Sequence, residues 1–244
     1  MIVDAHQHLG DCRVFDAVVD EQEVVGCIAR HGLAHVLAMP FPGARDPHAV
    51  HDRIAALGER TDGAVRGIVN VTPHQDAGAY RAEAERCVRE LGFVALKLHT
   101  IGHAVEPGSR DGRHVFATAA ALGVPVMIHT GGAGEPFASP AHCLPLARAH
   151  PDVTVVLAHA GMGVATRQAG IVAAECPNVV LETSWCPVLD TAWLVSELGA
   201  ERVMLGSDAI DNVPVELAKF HALGLTDAAL ARCLGGTAAE VFGL

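Results

Sequence analysis

The chain has 244 residues, half of them hydrophobic and 18% charged, enough apolar material for a large core and too much for a disordered chain. Its formal charge is −11, with 17 Lys and Arg against 28 Asp and Glu and no basic cluster, which excludes a nucleic-acid-binding role. No uncharged apolar run approaches the roughly 18 residues of a membrane span.

Met1–Asp11 carries acid rather than base and lacks the apolar core of a signal peptide. The seven cysteines are scattered without a CxxC pair and suit free thiols in a reducing compartment, so a cytoplasmic protein is expected.

In chain order, short Val/Ile/Leu runs alternate with stretches of helical spacing. A strand over Ile2–Ala5 precedes a helix over Glu21–His31, and His35–Met39 precedes Pro47–Arg60. Val65–Val71 leads to Ala77–Leu91, Phe93–Leu98 to Asp111–Leu122, and Val124–Ile128 to Pro140–His150. Val153–Ala158 leads to Val164–Cys176, and Val179–Glu182 to Thr191–Leu198. The last strand, Val203–Gly206, is followed by helices over Pro214–Leu223 and Asp227–Leu234.

Strands this continuously apolar belong to a parallel sheet covered on both faces. Gly32, Gly92, Gly123 and Gly199 sit where left-handed helix ends are wanted, and Asp76, Asp111, Ser139 and Asp190 where helices start. Eight βα units of about 30 residues, with no linker between them, predict one α/β domain over residues 1–244. A closed (β/α)8 TIM barrel is expected. An open doubly wound sheet would carry a glycine-rich phosphate turn after its first strand, and here that strand runs into His6-Gln7-His8.

Polar residues collect at the C-terminal ends of these strands: His6 and His8, Lys97 and His99, His129, His159, Thr183 and Ser184, and Asp208. In a barrel those ends ring one mouth, where active sites of this fold lie. Alternate residues of a strand point the same way, so His6 and His8 can face one ion. Asp208 ends an apolar strand, where an unpaired carboxylate is costly unless it meets a partner or a metal. With His129 they form a nitrogen/oxygen set suited to Zn²⁺, and also to Mn²⁺ or Fe²⁺.

His159 reads as a fifth ligand or as a proton-transfer group. Lys97 has three readings: a structural ion pair, a binder of a substrate anion, or a carbamylated bridge between two metals. His99 and His103 read as loop residues; the remaining histidines, His51 among them, fall on helices or at the opposite strand ends, carry no assigned chemistry and are expected mostly at the surface. The segment from Thr100 to Arg110 is the longest candidate lid.

These motifs resemble the amidohydrolase superfamily, in its amidohydrolase-2 branch of metal-dependent hydrolases and decarboxylases. The likeness is carried by Val3-Asp4-Ala5-His6-Gln7-His8, by the run from Gly92 to His99, by Pro125-Val126-Met127-Ile128-His129, by Ala158-His159-Ala160-Gly161 and by Gly206-Ser207-Asp208. The closing run Gly235–Leu244 is similar to the family's terminal helix.

The resemblance implies a distorted TIM barrel holding one divalent ion. His6, His8, His129 and Asp208 would be its ligands, with His159 close by as acid/base. Binuclear relatives carry a carboxylated lysine at the position of Lys97. The expected activity is hydrolysis of an amide, ester or lactone bond in a small carboxylate-bearing substrate. The metal activates a water, Asp208 or His159 takes the proton, and Lys97 binds the substrate. The rival readings are non-oxidative decarboxylation of a small carboxylic acid and a non-catalytic ligand-binding barrel. A small molecule is the expected partner, and a homodimer the expected assembly, since cyclic dimers are the commonest.

Overall fold

The computed structural model describes residues 1–13, 16–132 and 136–244. The chain runs through β1 (Val3–Cys12), β2 (Ala17–Val19), α1 (Glu21–His31), β3 (His35–Pro40), α2 (Pro47–Arg60), β4 (Val65–Val69) and α3 (Ala77–Arg89). Next come β5 (Ala95–Leu98), α4 (Arg110–Leu122), β6 (Val126–His129), α5 (Leu144–Ala149), β7 (Val155–Ala158) and α6 (Thr166–Glu175). The last part holds β8 (Val179–Glu182), α7 (Val188–Leu198), β9 (Val203–Met204), α8 (Val213–His221), α9 (Asp227–Ala231) and α10 (Thr237–Phe242).

The sheet order is β2-β1-β3-β4-β5-β6-β7-β8-β9, and every neighbour after the β1–β2 pair is parallel. Two backbone bonds bring the sheet's ends together: Ala5 N–H donates to Leu205 O at 3.2 Å, and Asp208 N–H to His6 O at 2.7 Å. This is the curl of a TIM barrel with helices outside it.

β2 was not expected. β1 outruns its sequence-predicted span and turns back through an antiparallel pairing of Gly10 with Val19. Gly10 has φ +97, and a Cβ there would meet Val50 Cγ2 at 3.1 Å, so only glycine lets this strand pass over α2 comfortably. Helix starts differ in three places. Ser139 caps a 3-10 turn, Pro140–Cys143, and α5 itself begins only at Leu144. Ser109 rather than Asp111 caps α4, and Pro187 precedes α7, leaving Asp190 inside its first turn.

The alternation of side chains along each strand places the site. Leu37, Met39, Ile68, Ala95, Met127, Val156, Val180 and Met204 point inward, and Ala238 and Phe242 of α10 close the far end of this plug. Val69, Leu96, Leu98, Val126, Ile128, Leu157 and Leu181 point outward against the helices. One alternation further along, the next inward positions are Asn70, Lys97, His129 and Glu182, all buried. A polar layer therefore rests on an apolar plug, at the C-terminal mouth. All seven cysteines are buried and free. Among the described residues no helix is long and apolar enough to cross a membrane.

Candidate metal centre

β1 does not run straight through the mouth. Its pairing with β3 slips between Asp4 and Gln7, and a bulge of this kind re-aims side chains. Asp4 holds the bulge, accepting from His6 N–H at 3.2 Å, Gln7 Nε2 at 2.7 Å, Ser207 N–H at 2.9 Å and Ser207 Oγ at 2.6 Å. Burial lifts its pKa to about 6 against those donors. The bonds to Ser207 tie β1 to the exit of β9 and deliver Asp208 beside the two histidines.

His6 Nε2 and His8 Nε2 each lie 3.2 Å from Asp208 Oδ1. The other nitrogen of each ring is engaged, His6 Nδ1 with Glu182 Oε2 at 2.8 Å and His8 Nδ1 with the Pro40 carbonyl at 3.1 Å. Carboxylate and carbonyl oxygens accept, so a neutral ring in either place carries its proton on Nδ1. Two Nε2 lone pairs and a carboxylate oxygen then face one point, an arrangement that calls for a cation. Lys97 brings one ammonium, with Nζ 3.0 Å from His6 Nε2.

The donor chemistry fits a divalent ion. His6, His8 and Asp208 offer three ligand atoms within 4.8 Å of one another. His129 lies outside that triplet, but its Nε2 is buried without a partner among the described residues. Burial, with Lys97 adding to it, holds His6 well below the usual imidazole pKa. Burial with His159 does the same for His129, so both keep a lone pair at neutral pH. Burial alone would raise Asp208, but His6, His159 and His8 outweigh it and keep the carboxylate ionised.

The remaining expected residues take definite places. His159 is buried, its pKa pushed down to about 4 by burial. Its Nε2 lies 3.1 Å from His129 Nδ1 and its Nδ1 2.7 Å from Ser184 Oγ, and its ring stacks on His6 with centroids 5.0 Å apart. Lys97 is 1% exposed and points to His6; burial lowers its pKa to about 8. The Thr100–Arg110 segment is bonded to itself and to the backbone of His129. Thr100 Oγ1 donates to His129 O, and Val105 N–H to Thr100 O.

Several contributors escape sequence reasoning. Glu182, fully buried, accepts from His6 Nδ1 and the His159 N–H, and also from Ser184 N–H. A Cβ at Gly206 would strike its carboxyl carbon at 2.6 Å, so the glycine makes its room. The rule that singles out Asp208, an acid ending an apolar strand, would have found Glu182. His99, read as a loop residue, stacks on His129 with centroids 4.4 Å apart. Trp185 donates its indole N–H to Asp208 Oδ2 at 2.8 Å. His51, one of the histidines expected mostly at the surface, is fully buried between α2 and α3 with Glu83 and Cys87.

The family model for amidohydrolases matches residues 35–244, and the chain belongs to that family. No curated protein sequence matches it. Solved structures share its fold over its whole length. One is 5-carboxyvanillate decarboxylase from Sphingomonas paucimobilis, with a TM-score of 0.79 and 13% identity, covering 100% of this chain and 99% of the other. Another is a dihydroxybenzoic acid decarboxylase from a Polaromonas species with bound manganese and 2-nitroresorcinol, with a TM-score of 0.79, 18% identity and 100% and 97% coverage. A third is a probable 2-pyrone-4,6-dicarboxylic acid hydrolase from Acinetobacter baumannii with citric acid bound, with a TM-score of 0.70, 12% identity and 100% and 99% coverage.

Proposed function

We propose that this protein is a metal-dependent hydrolase that cleaves an amide, ester or lactone bond of a small carboxylate-bearing substrate. The observation that carries the reading is the convergence of His6 Nε2, His8 Nε2 and Asp208 Oδ1, with both ring Nδ1 atoms already engaged. His6, His8, Asp208 and His129 would hold the ion. Zn²⁺ suits this donor set, as does Mn²⁺, the ion of the Polaromonas neighbour. When bound, the ion supplies Lewis acidity that polarises a carbonyl and makes water a better nucleophile.

The chain's own groups do the rest. Asp208, a quarter exposed, is the carboxylate that takes the proton from the attacking water. His159 acts through His129 as a positioning residue, accepting the His129 Nδ1 proton so that Nε2 faces the centre. Lys97 keeps a positive charge on the chamber floor that favours an anionic substrate.

Decarboxylation is the second reading, favoured by two aromatic side chains at the mouth. Phe41 stacks on His8 with centroids 4.6 Å apart, and the half-exposed Trp185 lies beside Asp208. Flat walls suit a planar conjugated acid.

Metal analysis and product analysis on one preparation test both readings. About one equivalent of transition metal is expected, lost in the variant carrying His6→Ala and His8→Ala. A metal-free wild type that keeps full turnover in chelator would end the metal reading. Carbon dioxide released from a carboxylic acid substrate would replace hydrolysis with decarboxylation.

A further inference from the structure

The turn after β8 is held more firmly than a surface loop needs. Trp185 sits in it with φ +61, and a bulky side chain in the left-handed region is a backbone outlier. His159 and Asp208, at the ends of the strands on either side, have φ +64 and +63. Strain of this kind persists only where surrounding bonds over-determine it, and it gathers at functional sites.

Those bonds can be named. Trp185 N–H donates to Glu216 Oε1 at 3.0 Å, and Glu216 is buried in an ion pair with Lys219. Lys219 Nζ donates to the carbonyls of Thr183 and Cys186, at 2.6 and 3.1 Å, on either side of the Ser184-Trp185 pair. Asn212 Nδ2 donates to Glu216 Oε1 at 3.2 Å and to Ser207 O at 2.8 Å, so it joins this turn to the residue before Asp208. Packing does not explain the ring's placement, because Trp185 remains 46% exposed. What the strained backbone delivers is the indole N–H, 2.8 Å from Asp208 Oδ2.

We propose that Trp185 is the positioning residue for Asp208: its indole N–H occupies Oδ2 and leaves Oδ1 alone to meet His6 and His8. The proposal rests on the metal reading above. It adds that occupancy of the centre is felt by an aromatic ring standing at the surface. An N–H donor so placed selects single-oxygen presentation of the carboxylate and keeps its plane fixed before any ion arrives.

Zn²⁺ and Co²⁺ alone are sufficient probes. The chain has two tryptophans, so Trp193→Phe leaves Trp185 as the sole tryptophan, excited selectively at the red edge where Tyr80 does not absorb. In that variant Zn²⁺ should shift Trp185 emission, saturating together with binding. Trp185→Phe keeps a ring but lacks the N–H. It should bind Co²⁺ about tenfold more weakly, with a changed visible spectrum and an unchanged Tm of the ion-free protein. Trp185→Gly removes the backbone strain along with the ring, so the ion-free protein should hold its stability while Co²⁺ affinity falls.

Wild-type Co²⁺ affinity and spectrum in folded Trp185→Phe would overturn the proposal. So would a Trp185→Gly variant that loses stability in step with Co²⁺ binding, since the residue would then be merely structural. If Trp185→Phe does not fold, the emission experiment decides: a signal unmoved at saturating Zn²⁺ overturns the proposal. Failure of wild type to bind Co²⁺ at all is a different result. It removes the metal reading itself and this proposal with it.

Discussion

At the barrel mouth, His6, His8 and Asp208 bring three metal-ligand atoms within 4.8 Å of one another; between α2 and α3, His51, Glu83 and Cys87 do the same. Every polar atom of the second cluster's side chains has a partner. His51 Nε2 accepts from Asn70 N–H at 3.1 Å, so its Nδ1 carries the proton donated to Glu83 Oε1 at 2.7 Å. Arg86 grips Glu83 with two bonds of 2.8 Å, and Cys87 Sγ donates to it at 3.3 Å. An ion on His51 Nδ1 would displace that proton while Asn70 N–H still holds the other nitrogen, leaving a doubly deprotonated ring. At the mouth, by contrast, both Nε2 lone pairs of His6 and His8 look inward, and His129 Nε2 has no partner among the described residues. A similar inventory gives a structural clamp in one place and a candidate reactive centre in the other. The difference lies in what the free side of each imidazole meets: a backbone N–H at His51 Nε2, but the Asp208 carboxylate and Lys97 Nζ at His6 Nε2 and no partner among the described residues at His129 Nε2.

The most severe way to break this comparison is to empty each cluster of its ligands. The variant with His6→Ala and His8→Ala should hold no metal, whereas His51→Ala with Cys87→Ala should hold as much as wild type whatever its stability. Release of an ion from the second pair, seen by elemental analysis, would erase the distinction.

Stability should respond the other way round. Glu83 is 5% exposed and anchors His51, Arg86 and Cys87, so Glu83→Ala strands buried donors. Breaking a buried pair costs about 3–5 kcal/mol, readable by urea unfolding, with metal content per folded chain unchanged. An unaltered unfolding midpoint would show that the clamp holds nothing.

His159→Asn sharpens the comparison within the mouth. On the proposed role, in which His159 orients His129, metal affinity should fall about tenfold and turnover with it. Complete metal loss would instead make His159 a ligand.

Acid should reach the clamp through Glu83. Burial alone would raise its pKa, but the bonds from His51 and Arg86 outweigh that and hold it well below the ordinary value of 4.5. A depressed folded pKa stabilises the protein above pH 4.5, and that contribution is lost as pH falls below it. Unfolding of wild type should therefore ease more steeply below pH 4.5 than that of Glu83→Gln; parallel curves would refute the assignment.

The smallest effect belongs to Cys87→Ala, which removes one weak donor. It should cost about 1 kcal/mol and release no metal. A loss several times larger would mean that the thiol does more than fill space beside Glu83.

The strand-end reading names His6, His8, His129, His159, Lys97 and Asp208, because parallel strands read as apolar runs and any polar residue terminating one stands out. It passes over Glu182, although the same signal is there. His51 is also legible in hindsight: it lies on α2 among the buried Val50, Ile54 and Leu57, on the face that the helix turns to the sheet. Trp185 and Asn70 offer no such signal. Their roles depend on partners 23 and 30 residues away, Asp208 and Pro40, brought near only when neighbouring strands align.

Local pattern was enough to determine the eight parallel βα units, the barrel and the mouth at which the candidate residues gather, because hydrophobic alternation and helix ends are short-range properties of the chain. Closure of the sheet, the bulge that turns His6 and His8 toward Asp208, and the face of each imidazole left free were decided by tertiary structure. Which nitrogen keeps its lone pair depends on which oxygen lies within about 3 Å of the other, and no spacing along a sequence encodes that distance.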